Sequence, residues 1–149
     1  MDKEMEKLIR QMLYKMTKEE VYDTLSNIGS PEALYVYAYN YNWDDGFEIP
    51  EKIINKKCCD LSTALMIFYK SDGFRYLQEK DNKIGGFENW IKFVDKLYLR
   101  IINNTYQKSD IKFEPPLSKV QIYKLSKLLK RSEYIFIEPI GSENLNKIL

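Results

Sequence analysis

Residues 42–48, "NWDDGFE", crowd the carboxylates Asp44, Asp45 and Glu48 into one short stretch between aromatic residues. Oxygen ligands of this kind suit a hard divalent cation such as calcium or magnesium, and Asp60 would have to fold back to help complete the shell. The spacing is not that of an EF-hand, because the stretch is too short and lacks its regular alternation of ligands. Two other readings use the same residues. Asp44 and Asp45 would cap backbone N–H groups of a tight corner that Trp43 and Phe47 anchor in the core. Alternatively, Tyr39, Trp43, Asp44, Asp45, Phe47 and Glu48 would form a binding surface. Its rings would supply contact area, and its carboxylates would meet arginine or lysine through charge-assisted hydrogen bonds. We expect a structured corner with a binding function on it, no catalytic group, no bound metal and no cofactor.

Other chemistries are limited by what the chain lacks. It has no histidine, which removes the commonest general base and the commonest transition-metal ligand. Its two cysteines, Cys58 and Cys59, are adjacent; neighbours rarely bridge without strain, so they read as reduced thiols packing at a helix entrance. The Gly85-Gly86 pair lacks the preceding strand and the lysine and hydroxyl of a phosphate loop, and reads as a linker. Lys119, Lys124, Lys127, Lys130 and Arg131 make a basic helix around Tyr123. Net charge is only +1 and no nucleic-acid module is recognisable, so a solvated helix face is favoured over nucleic-acid binding.

Charge is unevenly distributed. Between Glu19 and Glu51 there are eight acidic residues and no lysine or arginine, whereas Leu117–Ser132 holds five basic residues and no acid. Such asymmetry favours an oppositely charged partner, unless the two zones pack together and neutralise each other. Tyr35, Tyr37, Tyr39 and Tyr41 cannot all face the core of one helix, so some are expected among the carboxylates.

The elements that must position these groups read as helices. Met5, Leu8, Ile9, Met12, Leu13 and Met16 recur at helical spacing. Thr17 and Glu20 have the form of a capping box, and Gly29 is expected to end that helix in the left-handed conformation. Ser30-Pro31 restarts a helix through the tyrosines. Pro50 opens a short one, and Asp60 caps "LSTALMIFYK", which is apolar on most sides and belongs at the centre of the core. A further helix begins near Phe87. Ser118 caps a last one, expected to bury Ile122, Leu125, Leu128 and Leu129. "YIFIEPI" is expected to be an extended tail on the surface. The predicted fold is all-α: one compact domain over residues 1–149, built of stacked helical hairpins with an extended C-terminal tail and no fixed repeat period.

The stretches Asn42–Gly46 and Cys59–Leu65, closed by Phe68 and Tyr69, resemble a bacterial family defined as domain of unknown function 4274. In it an Asn-Trp-Asp-Asp-Gly corner and a short helix precede Cys-Asp-Leu-(Gly/Ser)-Thr-Ala-Leu; here Ser62 takes the Gly/Ser position. "FEPPLSKVQIYKLSK" resembles the family's C-terminal part. The resemblance covers about a third of the chain and implies an all-helical domain, with no established activity to transfer. The N-terminus has no apolar leader segment, and no run approaches the roughly twenty apolar residues of a membrane span, so a cytoplasmic location is expected. By analogy of size and style, the leading expectation is a non-enzymatic protein-binding domain of the immunity type, neutralising a basic toxin. The alternatives are a carboxylate-based enzyme using a divalent cation, or a nucleic-acid-associated regulator using the basic helix.

Overall fold

The computed structural model describes residues 1–81 and 87–149; the Gly85-Gly86 pair lies outside them. Among the described residues there are eight α-helices: α1 (Lys3–Tyr14), α2 (Lys18–Leu25), α3 (Pro31–Asn40), α4 (Glu48–Ile54), α5 (Leu61–Lys70), α6 (Gly73–Glu79), α7 (Glu88–Ile102) and α8 (Lys119–Leu128). Two 3-10 stretches, Trp43–Asp45 and Arg131–Phe136, complete the list. The fold is all-α, as the sequence predicts. Among the described residues only two isolated bridges, Ile111 with Glu143 and Phe113 with Ile140, give extended segments a partner. No described helix is long and apolar enough to cross a membrane.

Local signals set the helix starts. The Thr17 hydroxyl accepts the Glu20 N–H at 3.2 Å, and the Glu20 carboxylate accepts the Thr17 N–H at 3.1 Å. Ser118 and Gln121 repeat this box, and Ser30 and Asp60 cap α3 and α5. Gly29 does not act as expected. The positive-φ glycines among the described residues are Gly46 and Gly141. α2 ends instead by tightening, with the Asn27 and Ile28 N–H groups bonding to Thr24 and Leu25 carbonyls three residues back, which satisfies helix-end carbonyls without a left-handed residue.

Consecutive helices pack as hairpins, and the hairpins stack: α3 lies between α1 and α5, α5 between α3 and α7, and α4 packs on α2. α1, α3, α5 and α7 begin at Lys3, Pro31, Leu61 and Glu88, a step of about 30 residues each time. The repeat is thus one of architecture and not of residues. α5 holds the centre, with every residue from Leu61 to Phe68 buried. α6 follows α5 so closely that a Cβ on Gly73 would lie 2.3 Å from the Phe68 ring and 2.5 Å from its carbonyl oxygen.

The C-terminal quarter departs most from expectation. Leu125 of α8 and Leu129 at its C-cap face inward, but Leu128 is 52% exposed, alongside Val120 and Tyr123. Leu128 is rotated away from the narrow stripe of Leu125, Leu129 and Ile122 that packs inward. "YIFIEPI" begins as the 3-10 stretch, which drives Phe136 into the core between the rings of Phe68 (4.7 Å) and Tyr98 (5.3 Å). The extended tail starts only after Ile137, and its partner is the 110–113 segment.

Glu133 anchors this turn. It is 3% exposed and accepts the Tyr98 hydroxyl at 2.5 Å, the Lys130 N–H at 2.9 Å and the Lys80 ammonium at 3.2 Å. Burial alone would raise its carboxyl. The bonds from Tyr98, Lys130 and Lys80, with the Lys80 charge, outweigh that and hold it below the ordinary value.

Two outcomes follow. Gly73→Ala is expected to destabilise by about 2 kcal/mol or more, since backbone as well as a core ring must give way; denaturant unfolding measures it. Because the folded carboxyl is depressed, Glu133 contributes stability in full above the ordinary glutamate value of about 4.3 and loses it as pH falls through the folded one. Glu133→Gln is therefore expected to lower stability at neutral pH and to flatten its decline between neutral and acid pH, read from melting curves.

Candidate functional site: an acidic corner on an aromatic base

The corner after α3 is built by Asn42 and Tyr41. The Asn42 side-chain oxygen accepts the Asp44 N–H at 3.1 Å and its carbonyl accepts the Asp45 N–H at 3.0 Å. The Tyr41 hydroxyl donates to the Gly46 carbonyl at 2.7 Å. Gly46, at φ 91°, turns the chain into α4. Asp44 and Asp45 were expected to cap this corner. Asn42 does so instead, and both aspartates are exposed, as is Glu48. A short neutral side chain one position before the 3-10 stretch reaches the free N–H groups, and the aspartates are left to solvent.

The same corner holds an aromatic cluster. Trp43 meets Tyr41 edge-on at 5.3 Å and lies 6.2 Å from Phe47 and 6.1 Å from Phe93, while Phe47 and Phe93 are 5.1 Å apart. Trp43 is half-buried, less than an anchor in the core would be, and its indole N–H is buried with no acceptor among the described residues. Burial, then the charges of Asp45 and Glu48, push the Tyr41 hydroxyl up to about 12, so it remains a donor at neutral pH. Lys18 of α2 reaches Glu48 at 3.4 Å, but the Glu48 side chain is still 76% exposed. Lys96 of α7 pairs with Glu51.

The tyrosine expectation is corrected. Tyr35, Tyr37 and Tyr41 are buried and Tyr39 is half-buried, because α3 is covered on one side by α1 and on the other by α5. The exposed tyrosine of the acidic window is Tyr22, with Lys52 3.9 Å above its ring. Tyr39 does not join the corner: its ring is met by Lys70 of α5 and by Lys147 of the tail. Beside the corner, a hollow of about 440 Å³ between α1, α2 and α3 is lined by Tyr14, Tyr37, Tyr41, Asn42 and Asp45. Tyr14 belongs to this surface only through the packing of α1 on α3, which no local signal announces.

Asp60 cannot complete a cation shell at the corner. It is buried at the start of α5, where its oxygens accept the Thr63 N–H at 2.8 Å and the Ser109 hydroxyl at 2.5 Å. Among the described residues no three acidic or thiol side chains converge as a cation site. Cys58 and Cys59 are free thiols. Burial, then Asp60 and Cys58, push the Cys59 thiol well up, far from the thiolate form that reacts. The five basic residues of the α8 region are exposed. Among the described residues no ion pair joins them to the acidic window, so the two zones do not neutralise each other.

Residues 29–102, which span α3 to α7, match the domain of unknown function DUF4274, and the chain belongs to that family through this segment. The corner and α5 lie inside the match; "FEPPLSKVQIYKLSK" lies outside it. No curated protein and no solved structure matches the chain.

The half-burial of Trp43 sets its expected energetics. Trp43→Ala should cost about 2 kcal/mol, below the roughly 3–5 of a full aromatic truncation in a core. Trp43→Phe should cost clearly less, because it keeps a ring and removes a buried donor that has no acceptor. Chemical denaturation of both variants checks the order.

Proposed function

We propose that this chain is a non-enzymatic binding domain that takes a basic protein partner on the acidic corner, in the manner of an immunity protein that neutralises a toxin in the cytoplasm of a bacterial cell. The observation that carries the reading is the exposure of Asp44, Asp45 and Glu48 in the same corner as the half-buried Trp43–Phe47 pair. A half-buried aromatic pair with exposed carboxylates beside it offers arginine and lysine both contact area and charge-assisted hydrogen bonds. Lys18 is the only base within ion-pair distance of these carboxylates among the described residues; Lys92 and Lys96 line the same hollow as Phe47, Glu48 and Phe93, so Asp44 and Asp45 carry the charge left for a partner. Enzymes that degrade nucleic acid are often basic because their substrate is a polyanion, and an acidic inhibitor would occupy the same surface.

Association is expected to be fast and salt-sensitive, with rim charges acting mainly on the on-rate. The triple variant Asp44→Lys, Asp45→Lys, Glu48→Lys should lose partner capture from host lysate by roughly tenfold or more while keeping the far-ultraviolet helical signal. Lys124→Glu, Lys127→Glu, Lys130→Glu should capture as the wild type does. The reverse pattern would assign recognition to the basic helix, and indifference to both would reject charge as its basis.

A further inference from the structure

α3 divides its four tyrosines between two hollows. Tyr37 and Tyr41 line the one beside the acidic corner; Tyr35 and Tyr39 line a separate groove of about 480 Å³ on the α5 side. Met66, Tyr69 and Lys70 of α5, the 112–116 segment, and Asn144 and Lys147 of the tail form its other walls. That volume is in the range of small-molecule sites.

Three lysines open on the groove. Lys112 is paired with Glu114 at 3.2 Å. Lys70 and Lys147 have no carboxylate within ion-pair distance among the described residues, yet both gather at one ring, their ammonium nitrogens 4.2 and 5.6 Å from the Tyr39 centroid. Both ammonium groups lie near the same ring, and an anion in the groove within reach of both would be attracted by each. The tail is fixed at this point: the Asn40 side-chain N–H₂ donates to the Lys147 carbonyl at 2.7 Å and to the Val36 carbonyl at 2.9 Å. Lys147 is thereby placed on the groove by the fold.

The remaining wall is aromatic and apolar. Tyr69 and Phe113 stack with centroids 6.1 Å apart. The Tyr69 hydroxyl is occupied by the Phe136 carbonyl at 2.5 Å, whereas the Tyr35 hydroxyl has no hydrogen-bond partner among the described residues. Burial, then Tyr39 and Asp60, push Tyr35 up to about 12, which keeps it a neutral donor. The groove therefore joins two cations and one hydroxyl donor that have no partner among the described residues, with a stacked aromatic wall.

We propose that this groove binds a small organic anion: an apolar or aromatic body carrying one carboxylate or phosphate head, with the head between Lys70 and Lys147 and the body against Tyr39, Tyr69 and Phe113. Tyr35 donates one hydrogen bond to it. The site is independent of the acidic corner, shares no residue with it and has the opposite charge.

Calorimetric titration of the full chain tests this with phenyl phosphate and 3-phenylpropionate as probes. Inorganic phosphate serves as the head alone and benzyl alcohol as the body alone. At least one phenyl anion should bind with one-to-one stoichiometry, roughly tenfold or more tighter than either control, and weaken as salt is raised. The tighter of the two identifies the head. Lys70→Gln with Lys147→Gln should weaken binding by roughly tenfold or more, and Tyr35→Phe by a few-fold. The proposal is overturned if neither phenyl anion binds more tightly than both controls, if wild-type affinity is indifferent to salt, or if the folded double variant binds as the wild type does.

Discussion

A helix buried on every side has to be surrounded, and the rest of this structure is arranged to surround α5. α3 and α7 flank it, α6 folds back on its end across Gly73, and the segment after α7 closes its beginning. That last closure is polar and specific. Asp60 caps α5 and also holds Ser109; the Leu61 N–H bonds to the Gln107 carbonyl at 2.8 Å and the Ser62 hydroxyl to the Ile111 carbonyl at 2.7 Å. A buried carboxylate is tolerated only when its lone pairs are taken. Because Asp60 is spent on this junction, it is unavailable for chemistry at the corner, and the chain from Gln107 to Ile111 is fixed where the C-terminal tail can pair with it.

The same stacking gives α3 two sides that each line a hollow. Helical geometry places Tyr35 with Tyr39 and Tyr37 with Tyr41 on different faces, and neighbours on both sides turn each pair into part of a wall. One wall ends in the acidic corner and the other carries two lysines that have no carboxylate partner among the described residues. A chain of nearly neutral net charge thus presents surfaces of opposite sign a few residues apart, beside the basic outer face of α8.

What was legible in the sequence is what neighbouring residues decide. Thr17 with Glu20, Ser30 with Pro31, Asp60 and Ser118 mark helix starts by chemistry confined to a single turn, and the apolar breadth of "LSTALMIFYK" announces burial by itself. Features that depend on which element packs where were not legible. Leu128 belongs to an apolar pattern but lies off the packing stripe. Phe136 sits in a segment that looks extended until its ring is found between Phe68 and Tyr98. Tyr39 adjoins the corner in sequence but points to Lys147, more than a hundred residues away. The step of about 30 residues between α1, α3, α5 and α7 leaves no repeated residues, since each helix meets different neighbours. At the corner, residue types located the exposed carboxylates, but the cap went to Asn42, whose neutral amide serves the turn and frees the aspartates.

The central claim is that the corner, and not the basic helix, is the face that meets a partner. Hydrogen–deuterium exchange of the full chain, alone and with the partner it captures, tests this without altering a residue. The account predicts protection confined to residues 42–48 and the first turn of α2, with α8 exchanging as it does in the free protein. Protection of α8 with an unchanged corner would contradict it.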